Sequence, residues 1–321
     1  MTGIVTVDIA GAQMGGAARY AAELSRYLDR TGRRDVHVIG AGRHVNPAWL
    51  LRRETVRLAS GRRVAVNNVS FISPGGQRWA LLRNALHFLA DDEAARLDAA
   101  LRTSVRREAA VVRLTARRAD VLVVPCTAMA ERVTRVMPAV RSRLVVRPHP
   151  VSAGPARPGP REAAILCPVL FAPYKQMDER LTELLGAVDG YGDPAVRVRV
   201  TANRADLPPA VASSPRLEFL GRIDQHDLRQ AWARSRAIYF PTGLESFGYP
   251  LAEARAKGLP VIARDTAQNR EIAGPALCGF DPGEPDSLRQ AVKSALTTGV
   301  APDPLPFDPD AYFGWLLGGA W

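Results

Sequence analysis

Two acidic residues, Glu245 and Glu253, bracket the seven residues Ser-Phe-Gly-Tyr-Pro-Leu-Ala. A carboxylate can accept two hydrogen bonds from vicinal hydroxyls, as acidic residues do with ribose. The residues around the pair indicate how it is held. Pro250 suits the first position of a helix, where a missing N–H costs nothing. Gly258 suits the left-handed residue that ends a helix. Leu259–Ala263 is a short apolar run of the kind that forms a buried parallel strand. The expected order is therefore loop, short helix, strand. Gly248 lets a ligand come close to the main chain, and amides at the helix start favour an anion such as phosphate. Glu253 would fall in the first turn of that helix. Glu245, on the preceding loop, could reach whatever is attached beyond the phosphate.

The whole block, Phe-Pro-Thr-Gly-Leu-Glu-Ser-Phe-Gly-Tyr-Pro-Leu-Ala-Glu-Ala at 240–254, is followed by Gly-Leu-Pro-Val-Ile-Ala and then by Arg270-Glu271-Ile272. It resembles the EX7E signature of the family-4 retaining glycosyltransferases of the GT-B fold. The resemblance implies a nucleotide-diphosphate sugar as donor substrate, retention of anomeric configuration, and neither a metal nor another cofactor. It implies that Glu253 holds the donor ribose and that Glu245 contacts hydroxyls of the transferred sugar. The amides of Phe247, Gly248 and Tyr249, beside Ser246, would meet the phosphates, with Lys175 assisting. Attack would come from the front face, and the departing phosphate oxygen would help remove the acceptor proton.

Three further segments bear on the same chemistry. Gly15-Gly16 follows the first strand-like run and opens an amphipathic stretch, as a ligand-facing glycine loop or as a plain strand-to-helix turn. It lacks the full dinucleotide fingerprint. Pro173-Tyr174-Lys175-Gln176 follows another strand. The family resemblance implies two cations there for the diphosphate; Lys175 matches, but Cys167-Pro-Val-Leu-Phe-Ala-Pro173 contains no basic residue. Arg83-Asn84-Ala85-Leu86-His87-Phe88 resembles a cleft segment of some family branches, and His87 could hydrogen-bond the transferred sugar or the acceptor. His149, in Arg-Pro-His-Pro, reads as a turn residue. His37, His44 and His226 have no distinguishing context. Asp308-Pro-Asp310 is the one Asp-x-Asp in the sequence, and it lies in the tail. No His/Cys cluster has metal-ligand spacing.

The elements that must position these residues alternate along the chain. Strand-like runs at 4–9, 36–40, 64–71, 121–125, 143–147, 164–170, 196–201, 217–220, 237–240 and 259–263 alternate with helical stretches at 17–28, 93–118, 128–136, 176–188, 226–234 and 285–295. Such alternation predicts parallel sheets covered by helices. The proline- and glycine-rich stretch 151–160 marks a linker. The expected fold is α/β, GT-B, with two Rossmann-like doubly wound domains facing a central cleft. Residues 1–150 would carry the acceptor and 151–300 the donor, and 301–321 would cross back to the first domain.

Of 321 residues, 47% are apolar, enough for two cores. The net charge of +11 is uneven: residues 1–150 hold 25 Arg/Lys against 12 Asp/Glu, and residues 151–321 hold 18 against 20. The basic half could rest on an anionic membrane, attract an anionic acceptor, bind nucleic acid, or be a solvated surface. Only three of the 43 basic residues are lysines, which fits a GC-rich, for example actinobacterial, genome. Scattered arginines without an aromatic reading surface argue against nucleic acid. Three widely spaced cysteines, no membrane-length apolar run and a strand-like start suggest a cytoplasmic protein, with room for peripheral membrane contact. The expected partners are the nucleotide-sugar donor and a small-molecule, saccharide or lipid-linked acceptor. Alternatives are an enzyme coupling a nucleotide-bound cyclitol or unusual sugar, and a nucleotide-binding relative without turnover.

Overall fold

A computed structural model describes residues 3–55, 61–97, 103–152, 161–168, 175–284 and 286–318. From the N-terminus come β1 (Val5–Asp8), α1 (Gly15–Thr31), β2 (Val36–Ile39), α2 (Pro47–Glu54), β3 (Arg62–Ala65), β4 (Gln77–Leu81), α3 (Asp91–Arg96), α4 (Thr103–Ala116), β5 (Val121–Val124), α5 (Thr127–Val136) and β6 (Leu144–Val146). The chain continues with β7 (Glu162–Cys167), α6 (Met177–Tyr191), β8 (Arg197–Val200), α7 (Pro209–Ala212), β9 (Leu217–Phe219), α8 (Gln225–Arg234) and β10 (Ser235–Phe240). It ends with α9 (Tyr249–Lys257), β11 (Val261–Arg264), α10 (Ala267–Ala273), β12 (Leu277–Phe280), α11 (Ser287–Thr297) and α12 (Pro309–Leu316).

These elements form two compact units. The first comprises Met1–Ser152, Glu245–Phe247 and Pro306–Trp321; the second comprises Ala153–Leu244 and Gly248–Leu305. Each contains a six-stranded sheet whose neighbouring strands are all parallel, in the orders β2-β1-β3-β4-β5-β6 and β12-β11-β10-β7-β8-β9. This is the GT-B kind of α/β architecture. β1, Val-Thr-Val-Asp, is buried along its whole length: Val5 and Val7 enter the apolar core on one face, and Thr6 and Asp8 are buried on the other. Strand order reverses between β1 and β3 in one unit and between β7 and β10 in the other. In open parallel sheets, the loops at the carboxyl ends beside such a reversal hold ligands.

In the first unit that reversal is built around one buried carboxylate. Asp8 closes β1 and accepts hydrogen bonds from Arg53 (2.7 Å), Asn67 (2.8 Å), the Ala10 amide (3.0 Å) and the Trp49 indole (3.2 Å). Arg53 spends its other terminal nitrogen on the carbonyls of Val69 and Ser70, and its guanidinium lies over Phe71. One ion pair thereby ties α2 and the segment after β3 to the end of β1.

Helix α12 packs on α1 within the same unit. Tyr20 and Tyr27 meet Tyr312 and Phe313, while Trp79 meets Trp315 edge-on at 5.2 Å. Arg62 donates to the carbonyls of Trp315 and Leu316, and Arg33 donates to that of Leu317. Cations at a helix C-terminus satisfy carbonyls that have no partner within the helix and match its negative end.

Several local expectations need correction. The strand expected at 64–71 is Arg62–Ala65, because Asn67 and Asn68, the latter at φ 69°, turn the chain away. The helix expected at 93–118 is represented by α3 and α4, and residues 98–102 lie outside the described set. Strands β4 and β12 and helix α2 had no counterpart in the sequence reading. Of the expected linker at 151–160, only Val151 and Ser152 are described. Among the described residues no helix is long and apolar enough to cross a membrane.

Removing the Asp8 carboxylate strands a buried guanidinium. Asp8→Ala is expected to cost about 3–5 kcal/mol in urea unfolding, and the double variant Asp8→Leu with Arg53→Met should recover much of it. A single variant as stable as the parent would contradict this account of the first unit.

Candidate functional site

Strand β10 delivers the chain to the Glu245–Glu253 block at the carboxyl edge of the second sheet, on the β10 side of its strand reversal. Gly248 makes the turn into α9. Its φ is 81°, and a Cβ there would sit 3.0 Å from Leu251 Cδ1 and 3.1 Å from Phe240 Cε1. Both conformation and space thus require glycine. The Gly248 carbonyl accepts from the Leu251 amide at 2.9 Å. Gly258 closes the helix at φ 61°, where a Cβ would meet the Val300 carbonyl at 2.6 Å. The helix opens at Tyr249 rather than Pro250, so Glu253 is its fifth residue and stands one turn in, not in the first turn. Glu253 and Glu245 are both half-buried.

Glu245, Ser246 and Phe247 belong to the first unit, and Gly248, Tyr249 and Glu253 to the second. Within the first unit, Ser246 donates from Oγ to the Arg83 carbonyl at 2.6 Å, and its own carbonyl accepts from Cys126 Sγ at 3.3 Å. The Phe247 ring packs edge-on against His149 (5.1 Å) and Phe307 (6.1 Å). His149 in turn meets Tyr20 at 5.6 Å. It is a fully buried core residue, which corrects the turn reading. Burial, and secondarily Arg83, push its pKa well below the ordinary histidine value.

Arg83 is the residue that sequence reasoning missed. Its guanidinium donates to the Gly16 carbonyl at 2.8 Å and lies over the Tyr20 ring; its amide donates to Asn68 Oδ1, and its carbonyl receives Ser246. It therefore joins the Gly15-Gly16 helix start, the segment leading to His87, and the acidic loop. These bonds use main-chain atoms far apart in sequence, so no motif announces them. Gly15, at φ 57°, has open space where a Cβ would be, and Met14 before it caps α1 without a side-chain bond.

His87 sits in the single turn Ala85–Phe88, which Asn84 opens by accepting the Leu86 amide through Oδ1. That fixes the Asn84 amide nitrogen toward His87 Nε2, 3.2 Å away. Nε2 is then the acceptor, and Nδ1 carries the proton. Nδ1 is buried and has no hydrogen-bond partner among the described residues. Burial, and secondarily the Arg113 guanidinium, push the imidazole down to about 4. His87 is therefore neutral at pH 7, so its 3.7 Å approach to Glu108 is not an ion pair there. A buried N–H donor without an acceptor can serve a ligand hydroxyl.

Lys175 lies after the carboxyl end of β7, half-buried, directly before the left-handed Gln176 (φ 49°) that opens α6. It belongs to the second unit, and His87, Gly15 and Gly16 belong to the first. Pro173, Tyr174 and the rest of 169–174 lie outside the described residues. The Asp308-Asp310 pair is structural: Asp308 caps α12 by accepting the Asp310 amide at 2.9 Å, and Asp310 pairs with Arg30. Among the described residues no three His, Cys, Asp or Glu side chains gather as a metal site requires.

Residues 211–304, which include the whole Glu245–Glu253 block, match the family model described as glycosyl transferases group 1. A serotype-specific mannosyltransferase, WbdA of Escherichia coli, is 40% identical over 81 residues, which is 25% of this chain and 10% of that protein. The O-antigen chain mannosyltransferase B of the same organism is 29% identical over 80 residues, 25% of this chain and 21% of that one. The match to these curated relatives thus spans about a tenth to a fifth of their length. Among solved structures, WaaG, a glycosyltransferase involved in lipopolysaccharide biosynthesis, superposes with a TM-score of 0.63 at 16% identity, covering 95% of this chain and 92% of WaaG. The likeness shows the GT-B fold.

The buried histidines carry a pH signature. An unfolded imidazole titrates near 6.5, whereas native His87 waits until about 4. In that window the unfolded chain binds more protons, so stability is fully present above about pH 6.5 and is lost as pH falls through it. The loss assigned to His87 is at most about 3 kcal/mol. His87→Gln should make the decline between about pH 7 and pH 4.5 shallower in urea unfolding. An unchanged slope would contradict a buried neutral imidazole.

Proposed function

We propose that this protein is a retaining, metal-independent glycosyltransferase that moves a hexose, with mannose as the first candidate, from a nucleoside diphosphate to a saccharide or lipid-linked acceptor. The observation that carries the reading is the Glu245–Glu253 block, turned by an obligate glycine at a strand reversal inside a group 1 domain. Mannose enters through the printed activity of the relatives that match over part of the chain.

In this reading Glu253 accepts hydrogen bonds from the donor ribose, and Glu245 holds hydroxyls of the transferred sugar. The amides of Phe247, Gly248 and Tyr249 face the phosphates, with Ser246 and Lys175 beside them. Gly15 and Gly16 leave the first unit's helix start open to the sugar, and His87 donates from Nδ1 to a sugar or acceptor hydroxyl. The acceptor oxygen attacks the anomeric carbon on the face from which the phosphate leaves. The bond to the phosphate oxygen breaks as the new glycosidic bond forms, and that oxygen takes the acceptor proton. No protein base is then needed, and catalysis consists of holding the reactants together and stabilising the leaving charge. A cytoplasmic location, with the arginine-rich first unit near an anionic membrane face, would suit a lipid-linked acceptor.

Glu253→Ala should weaken binding of the donor nucleoside diphosphate by about ten- to a hundredfold, from one or two lost charged hydrogen bonds. Glu245→Gln should leave that affinity near the parent value and lower turnover with the full nucleotide sugar. Calorimetry and a product assay check both, and undiminished nucleotide affinity in Glu253→Ala would contradict the assignment.

A further inference from the structure

Arg264 ends β11 with a guanidinium that has no counter-ion. Its Nε is buried and unpartnered, and no hydrogen bond or ion pair from its side chain occurs among the described residues. Other enclosed guanidinium groups have partners, either carboxylates, as for Arg53 with Asp8, Arg199 with Glu162 and Glu218, and Arg255 with Asp303, or main-chain carbonyls, as for Arg62, Arg83 and Arg113. The groups acting on Arg264 are Arg180, Glu183 and Tyr239. Arg180 holds Glu183 to itself with bonds of 2.7 and 3.0 Å, and takes the Gln176 side chain at 3.3 Å. Burial first, and Arg180 second, pull Arg264 below its ordinary range. An arginine cannot shed its proton in response. The chain therefore carries an uncompensated, partly desolvated positive charge beside a second arginine, an arrangement that costs stability without an anion.

Its position gives the charge a purpose. β11 is the neighbour of β10, with Phe240 opposite Ala263. The guanidinium lies against Gly243, on the loop that leads to Glu245. A Cβ at 243 would be 2.6 Å from its Nη1 and 3.2 Å from its Cζ, so the guanidinium occupies the space that glycine leaves open. Arg180 is tied to the same edge, since its carbonyl accepts from Tyr239 Oη of β10 at 3.0 Å. All four residues belong to the second unit, at the carboxyl edge of the sheet that bears Glu253.

We propose that Arg264, backed by Arg180, is an anion-binding cation for the pyrophosphate of the nucleotide donor, serving where the 167–173 stretch supplies none. The assignment rests on the donor-site reading above. A guanidinium presents two parallel N–H groups, which suit phosphate oxygens as a lone ammonium does not. In the transfer step it would meet charge growing on the leaving diphosphate.

Inorganic pyrophosphate, titrated calorimetrically into the full chain, probes the site without a sugar or base. The parent should bind it, and Arg264→Gln should weaken binding by about ten- to a hundredfold. Thermal stability of that variant should equal or exceed the parent's, because a repelled charge is gone; a merely structural arginine would show a fall instead. Gly243→Ala, which pushes the guanidinium aside, should weaken pyrophosphate binding too and serves if Arg264→Gln does not fold. A parent that ignores pyrophosphate, or variants that bind it as the parent does, would overturn the proposal. Glu253→Ala separates the two readings. If it loses nucleotide while Arg264→Gln keeps pyrophosphate, the anion site fails alone. If Glu253→Ala keeps full nucleotide affinity while Arg264→Gln loses pyrophosphate, the donor-site reading fails and the anion site stands.

Discussion

A side chain at position 248 has nowhere to go. Phe240, the last residue of β10, and Leu251, in the first turn of α9, close on it from two sides, and the backbone turns through a left-handed conformation. That constraint sets the direction in which α9 leaves the sheet, and with it the position of Glu253 one turn along the helix. It also divides the block: the three residues before Gly248 pack with the first unit, and those after it build the second. A glycine here does more than allow a ligand near. It lets five consecutive residues, Glu245 to Tyr249, serve two different cores.

The first unit receives its three residues through a web of main-chain bonds centred on Arg83, together with a column of rings, Phe247, His149 and Tyr20. This reframes the basic excess of residues 1–150. Arg53, Arg62, Arg83, Arg113 and Arg143 all spend N–H groups on carbonyls inside the unit. Five-donor guanidinium groups are well suited to satisfying carbonyls that turns and helix ends leave open. Part of the positive charge is therefore internal scaffolding rather than a surface for a partner. Arg264 differs in kind, since its donors meet nothing in the described chain.

Much of the architecture was legible in the sequence because parallel strands buried on both faces read as short apolar runs. β1, β2, β5, β8 and β9 lie within a residue or two of where those runs predict them. β4 was not, since Gln77-Arg78 opens it with two polar residues, and α2 was not, since its apolar and basic residues show no clean period. In the site, the glycine cap and the short helix followed from Gly248, Pro250 and Gly258, whose backbone demands are local. The helix start slipped by one residue because proline tolerates the second helical position as well as the first. His149 was misread because a histidine between two prolines looks like a turn, whereas its ring is buried by aromatic partners distant in sequence, Tyr20 before it and Phe247 after it. Arg83 acts through contacts that no sequence spacing encodes, and the placement of the Arg264 guanidinium against Gly243 is equally invisible in the sequence.

The central claim is that the block from Glu245 to Glu253 grips a nucleoside diphosphate sugar. Calorimetric titration of the 321-residue chain with UDP, GDP and dTDP in turn tests it most directly. The account predicts saturable one-to-one binding of at least one of them with a Kd on the order of micromolar. Absence of binding by all three at about 1 mM would contradict it.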